Sequence, residues 1–314
     1  MEELKMLEPY PMFGEPKFPD STERPEGVIS VTWTDAPAPF ADVLPNVVYQ
    51  ELSGEQQHLQ IFKPMTMFAP PDQPPQKFPL IVYVPGSAWH RQNVWIGLGK
   101  ALEAVARGYA FAIVEYRPSD IAPFPAQIAD AKSAIRFLRA HADEYGLDAS
   151  KIALWGDSSG GHTAVSLAVM DGIPDNGEHT DEPFAVDCVI DFFGPTDVQM
   201  MAYYPSAMDH LGPDSPEGYL IGRKDVHVHT ALAQKTNPIN YINSDSALPP
   251  LLMMHGSSDN IVAFNQSVRL YDKLCECGKE VVFYRLEGAG HGMGGFTSRE
   301  AMETVFSFIA EKLK

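Results

Sequence analysis

The chain has 314 residues, 45% hydrophobic and 20% charged, with 41 acidic against 23 basic side chains and a formal net charge of −18. That length supplies core enough for one large α/β domain or two small ones, and so acidic a surface repels phosphate backbones and anionic lipid, arguing against nucleic acid or membrane partners. No run of roughly 18 apolar residues spans a bilayer, Met1–Lys5 begins no signal peptide, and Cys188, Cys275 and Cys277 are too few for a disulfide framework, so a cytoplasmic protein with free thiols is expected.

Residues 1–45 are rich in proline and poor in periodicity and read as an extended N-terminal arm, with the globular domain running from 46 to 314. Val47–Leu52 and His58–Phe62 read as two antiparallel strands joined by a turn at Ser53-Gly54. The proline-rich stretch 70–75 is a stiff connector. Beyond it, strands and helices alternate, the mark of a parallel sheet covered on both faces. Buried strands are expected at Leu80–Val84, Ala110–Val114, Ile152–Trp155, Val186–Ile190, Leu251–Met254 and Val281–Tyr284.

Between them, Ile128, Ala131, Ile135, Leu138 and Ala142 recur at helical spacing and stop at Gly146. Val268, Tyr271, Leu274 and Cys275 form a second stripe ending at Gly278. The last helix is expected to open with a capping box from Thr297 to Glu300 and to bury Met302, Val305, Phe306, Ile309 and Leu313. Residues 198–235 break the rhythm, and a connection that long reads as an insert that helps cover a site. Within it, Asp225–His229 alternates like a surface strand, a better reading than a two-imidazole metal site. Cys275-Glu276-Cys277 is likewise too sparse a ligand set for a metal. No metal or cofactor is expected.

The most informative feature is Gly156-Asp157-Ser158-Ser159-Gly160-Gly161, placed between an apolar strand and the helical run Thr163–Ala168. Strand, sharp turn and helix with Gly-x-Ser-x-Gly at the corner describe a nucleophile elbow. A serine at the tip has strained backbone angles, and side chains two residues either side would strike the strand and helix. Gly156 and Gly160 remove them, which places Ser158 rather than Ser159 at the tip.

A serine hydroxyl needs a base within hydrogen-bond reach, and that base needs a partner fixing its tautomer. Such partners come from loops at the carboxyl ends of later strands, where ligands collect in open α/β sheets. Strand 251–254 leads into His255-Gly256-Ser257-Ser258-Asp259-Asn260, and strand 281–284 into Glu287-Gly288-Ala289-Gly290-His291-Gly292. Asp259 is therefore the candidate acid and His291 the candidate base. His255 is expected to stand behind them, and Asp157 to brace the loop. One oxyanion donor is expected from the backbone N–H of Ser159, the other from the loop Pro85-Gly86-Ser87-Ala88-Trp89. The order serine, acid, base, with a helix directly after the serine, also excludes the Gly-Asp-Ser arrangement of chymotrypsin-like proteases.

These residues resemble the α/β-hydrolase superfamily, and most of all the esterases related to hormone-sensitive lipase and to bacterial feruloyl and acetyl-xylan esterases. The resemblance covers roughly residues 47–314 and rests on Gly-Asp-Ser-Ser-Gly-Gly-His at 156–162, His-Gly-Ser-Ser-Asp-Asn-Ile-Val at 255–262, Gly-Ala-Gly-His-Gly at 288–292 and Val114-Glu115-Tyr116-Arg117. It implies an α/β-hydrolase fold: a mostly parallel central sheet flanked by helices, with N-terminal antiparallel strands and a small insert over the active site. It further implies Ser158 as the acyl-accepting nucleophile, His291 as general base and then acid, and Asp259 as its orienting partner. Oxyanion donors would be the N–H groups of Ser87, Ala88 and Ser159. The chain departs from the family's usual His-Gly-Gly-Gly-Trp, reading Pro85-Gly86-Ser87-Ala88-Trp89 instead, which alters the shape of that loop.

The expected activity is hydrolysis of short acyl esters of a carbohydrate or small alcohol. Trp89, Tyr203 and Tyr204 are the candidate substrate-binding residues, as aromatic faces for a sugar ring or a ferulate. A small-molecule ester is the expected partner; assembly is left open, with a homodimer one option. A peptidase of the acyl-aminoacyl or prolyl oligopeptidase kind ranks below, because only about 50 ordinary residues precede the domain. A non-catalytic binding protein on the same fold ranks lower still, since all three triad residues are present.

Overall fold

Eight strands form one sheet in the order β1-β2-β4-β3-β5-β6-β7-β8, in a computed structural model that describes residues 21–23, 25–30, 40–52, 54–66, 74–292 and 294–314. The strands are β1 (Ala41–Leu52), β2 (Glu55–Pro64), β3 (Phe78–Val84), β4 (Ala110–Val114), β5 (Leu147–Asp157), β6 (Cys188–Phe192), β7 (Leu251–Gly256) and β8 (Val281–Leu286). β1 runs antiparallel to β2 and β2 to β4, whereas every pairing from β4 through β8 is parallel. This is the α/β-hydrolase architecture, with the antiparallel strands at the N-terminal edge. Among the described residues no helix is long and apolar enough to cross a membrane.

The helices are α1 (Leu98–Ala106), α2 (Ala126–Ala140), α3 (Ala142–Tyr145), α4 (Ser159–Val169), α5 (Pro216–Leu220), α6 (Thr230–Thr236), α7 (Asn265–Glu276) and α8 (Arg299–Lys312). Strand alternation divides the core. Leu80, Val82 and Val84 face a cluster with Ile128, Ile135, Leu167 and Leu270 of α2, α4 and α7. Ile81 and Tyr83 face the other way, with Ala101 and Val105 of α1 and Val305, Phe306 and Ile309 of α8. Each such fully buried apolar side chain is worth about 1.5–3 kcal/mol, so the two layers hold the sheet's carboxyl edge rigid beneath the site.

Several boundaries differ from the sequence expectation. Residues 70–73 of the connector and most of the 1–45 arm lie outside the described residues. The last part of that arm, however, is strand: β1 starts at Ala41, not Val47. Pro45 hid this, because a proline within a run argues against a ladder. A register shift between Leu44 and Val47 accommodates it, with Asn46 left-handed at φ 53° and its N–H donated to Gln60 Oε1 at 2.9 Å. β6 starts at Cys188, later than Val186, because Asp187 turns inward to accept the N–H of Ile152 at 2.7 Å. The last helix is capped by Ser298, whose hydroxyl accepts from Ala301 N–H; Thr297 belongs to the preceding turn. Asp225–His229 is a turn rather than a strand, since Asp225 Oδ1 accepts from the N–H groups of both His227 and Val228. No cluster of metal-ligating side chains occurs among the described residues.

Candidate active site

β5 delivers Ser158 into the turn that opens α4. Its backbone sits at φ 52°, ψ −126°, a left-handed conformation, which costs about 1–3 kcal/mol for a residue with a Cβ. The turn is held by Ser158 N–H donating to the Phe192 carbonyl at 2.8 Å and by the Ser158 carbonyl accepting from His162 N–H at 3.0 Å. The flanking glycines are steric necessities. A Cβ on Gly156 would lie 2.1 Å from the Gly160 carbonyl oxygen, and one on Gly160 would lie 2.0 Å from that of Val84.

The structure brings Ser158, His291 and Asp259 together across 133 and 32 residues of sequence separation. His291 Nε2 lies 3.0 Å from Ser158 Oγ, and His291 Nδ1 lies 2.8 Å from Asp259 Oδ2. Because an ionised carboxylate only accepts, Nδ1 carries the hydrogen and Nε2 is left with its lone pair towards the serine hydroxyl. Asp259 is fixed on every side. Its Oδ1 accepts from the N–H groups of Ile261 and Val262, each at 2.9 Å, and Oδ2 accepts a second imidazole, His255 Nε2, at 3.2 Å. Burial pushes this carboxyl up, but hydrogen bonds from His255 and His291 outweigh it and hold the group well below the usual carboxylate range. His255, buried at the end of β7, is itself oriented by Ser267 Oγ at 2.7 Å and the Val262 carbonyl at 2.9 Å.

The loop after β3 corrects part of the oxyanion expectation. Ser87 N–H is donated to Ser159 Oγ at 2.9 Å, and Gly86 N–H to Asp157 Oδ1 at 2.7 Å, so neither is free for a ligand. The N–H groups of Ala88 and Ser159 carry no hydrogen bond among the described residues. Ala88, at the position of the last glycine in His-Gly-Gly-Gly-Trp, and Trp89 after it adopt φ 53° and 57°. Asp157 braces this loop from below, its Oδ2 accepting from Tyr83 Oη at 2.8 Å with Lys100 Nζ at 3.5 Å. Tyr116, the tyrosine of Val114–Arg117, braces it from behind: its hydroxyl lies 2.9 Å from Ser87 Oγ and 3.3 Å from Ser159 Oγ.

Of the three aromatic candidates, Trp89 alone borders the cavity in front of Ser158. It is only 1% exposed, and its Nε1–H points at His162 Nδ1 at 3.3 Å, which anchors the loop. Burial pushes His162 down to about 4. It is therefore neutral, and its Nε2–H donates to the Thr236 carbonyl at 2.7 Å. Tyr203 is 67% exposed and stacks on His227, and neither it nor Tyr204 borders the cavity in front of Ser158. That cavity, about 450 Å³, is lined by the loop after β3, by Ile96, Phe193, Ile261 and His291, and by four residues between β6 and β7, Met208, His210, Pro216 and Glu217. The insert thus covers the site, with different residues from those expected. It is pinned to the acid loop by Ala207 N–H donating to the Asn260 carbonyl at 2.7 Å, and to the loop after β3 by Tyr219 packing on His90 at 4.3 Å.

Beneath α4 lies a fully buried carboxyl that sequence reasoning missed, Asp191. Its Oδ1 accepts Gly194 N–H at 3.0 Å, and Oδ2 has no partner among the described residues. Burial pushes it up to about 7. A carboxyl raised in the folded state favours folding while protonated, and that contribution is lost as pH rises from about 4 to about 7. Asp191→Asn is therefore expected to gain thermal stability over the parent progressively across that window and to hold a constant margin above it. Melting temperatures from pH 4 to 8 check this; a margin independent of pH would refute it.

Comparison with known proteins agrees with this architecture. Esterase LipC of Mycobacterium tuberculosis is 27% identical over 227 residues, which cover 70% of this chain and 54% of LipC. The probable carboxylic ester hydrolase LipM of the same organism is 26% identical, over 74% of this chain and 54% of its own. The chain therefore spans about half the length of the curated relatives it matches. Among solved structures, a truncated carbohydrate esterase from gut microbiota superposes with a TM-score of 0.74 at 29% identity, covering 86% of this chain and 96% of that one. Esterase Est2 of Thermogutta terrifontis, bound to propionate, shares the fold at a TM-score of 0.68 and 24% identity, covering 88% and 96% of the two chains. The BD-FAE family profile matches residues 65–274, two thirds of the sequence, and the chain belongs to that family.

Proposed function

We propose that this protein is a cofactor-independent serine carboxylesterase that hydrolyses short acyl esters of a carbohydrate or small alcohol. The single observation that carries the reading is the continuous hydrogen-bonded chain from Ser158 Oγ through His291 to Asp259, opening into a cavity. In the first step Ser158 Oγ attacks the ester carbonyl carbon while His291 Nε2 takes its proton. The imidazolium formed is stabilised by the Asp259 carboxylate. The N–H groups of Ala88 and Ser159 receive the oxyanion, a term worth about 2.7–4 kcal/mol per donor in such sites. Collapse of the tetrahedral adduct breaks the bond to the alcohol oxygen, which leaves with the proton from His291. Water then adds to the acyl-Ser158 ester, His291 again taking a proton; the bond from the acyl carbon to Oγ breaks, His291 returns that proton to Oγ, and the carboxylic acid departs.

The relatives named as esterases and the carbohydrate esterase neighbour support the reaction class, since the triad order and spacing are what such enzymes require. The space supports short chains, since acyl and alcohol parts share about 450 Å³ beside the insert. With p-nitrophenyl esters, kcat/KM is expected to peak at acyl groups of about four carbons or fewer and to be at least roughly tenfold lower at octanoate. Faster turnover of octanoate or longer chains sinks the chain-length claim, and no hydrolysis of any activated ester sinks the esterase reading.

A further inference from the structure

The insert carries a buried acid–base pair into the same cavity. Glu217, at the start of α5, and His210, in the loop before it, each have side chains 2% exposed, with His210 Nδ1 3.0 Å from Glu217 Oε2. Both border the cavity that opens on Ser158. His210 Nε2 is occupied as well, lying 2.8 Å from Ser206 Oγ and 3.1 Å from the Ile261 carbonyl. The carbonyl only accepts, so Nε2 carries a hydrogen, and opposite the Glu217 carboxylate Nδ1 donates as well, which makes the pair an imidazolium and a carboxylate. Burial pushes His210 down, but the Glu217 carboxylate outweighs this and raises it.

An ionised carboxylate has roughly four lone-pair sites. Among the described residues the Glu217 carboxylate meets His210 and its own backbone N–H, which leaves part of that capacity free. Of the other charged groups on the wall, Lys100 is committed to Asp157 and Tyr83, and Asp157 to Gly86 N–H. Glu217 therefore offers carboxylate lone pairs at the cavity wall. A ligand hydroxyl set against the remaining lone pairs of this carboxylate gains a charge-assisted hydrogen bond, so this position favours a ligand that donates. His210 beside it cancels its charge, which favours a neutral donor, a hydroxyl, over an ammonium. A short unsubstituted acyl group carries no donor, which leaves the alcohol part of the ester.

We propose that Glu217, oriented by His210, accepts a hydrogen bond from a free hydroxyl on the alcohol part of the substrate, so that the enzyme selects monoesters of polyhydroxylated alcohols such as sugars. His210 is a positioning residue here, acting through Glu217. The proposal rests on the esterase reading and adds to it the recognition group.

The test uses a mono-O-acetyl methyl hexopyranoside and its monodeoxy analogues, each lacking one hydroxyl without added bulk, on the full chain. In the parent enzyme at least one deletion is expected to lower kcat/KM about tenfold or more, the worth of a charge-assisted hydrogen bond. In Glu217→Met that penalty is expected to shrink to within about twofold, because the acceptor is gone, with Glu217→Ala as the second variant should the first not fold. A parent enzyme indifferent to every deletion, or a Met variant that keeps the full penalty, overturns the proposal while leaving the esterase reading standing. A parent enzyme that hydrolyses neither these esters nor p-nitrophenyl acetate overturns both.

Discussion

Replacing Ser158 with alanine is expected to lower kcat for ester hydrolysis by roughly 10⁵-fold while leaving the fold intact. The large effect follows from the role of the lost atom: Oγ is both the nucleophile and the donor to His291 Nε2, 3.0 Å away. The fold survives because the turn is held by backbone bonds to Phe192 and His162, which alanine retains. Neighbouring Ser159 cannot substitute, since its Oγ already accepts Ser87 N–H at 2.9 Å and faces Tyr116. Some residual rate enhancement remains from the N–H groups of Ala88 and Ser159. A fluorophosphonate probe followed by peptide mass spectrometry provides the companion measurement. It is expected to label Ser158 in the parent enzyme and nothing in the variant, and a label on another serine would remove the basis of the mechanism.

How much of this was legible in the sequence depends on the range of the interaction involved. The elbow could be read because its constraint is local: Gly156 and Gly160 are required by contacts with residues next to them in the chain or on the neighbouring strand. Asp259 and His291 could be placed because a parallel sheet sends the loop after every strand to one edge. Groups that depend on packing between distant segments left little trace. Asp191 and the His210–Glu217 pair are ordinary residues in sequence, Tyr116 stands out only as part of Val114–Arg117, and the fold alone shows what they touch. His162 did carry a signal, directly after Gly160-Gly161, but its partners Trp89 and Thr236 lie more than 70 residues away on either side. Tyr203 and Tyr204 lie off the cavity for the same reason. Side-chain type does not say how far a ring is exposed at a pocket wall, and Trp89, which borders the cavity, is nearly fully buried.

Asp259→Asn is expected to lower kcat by about 10³–10⁴-fold with KM little changed, although it alters only one atom. The loop determines why so small a change is severe. The N–H groups of Ile261 and Val262 both point at the Oδ1 position, which must therefore hold the amide oxygen. The amide N–H₂ is forced into the Oδ2 position, facing His291 Nδ1 and His255 Nε2. To accept from that group His291 must move its hydrogen to Nε2, where it points at Ser158 Oγ and the lone pair that should take the serine proton is gone. His255 meets a second donor at the same place, since its Nε2 hydrogen also serves the Val262 carbonyl at 2.9 Å. Some loss of stability is expected with the loss of activity, and circular dichroism with a thermal melt separates the two. A folded Asn variant retaining a tenth or more of the parent kcat would mean that the carboxylate does not set the tautomer of His291, and the proton path drawn from Ser158 would have to be abandoned.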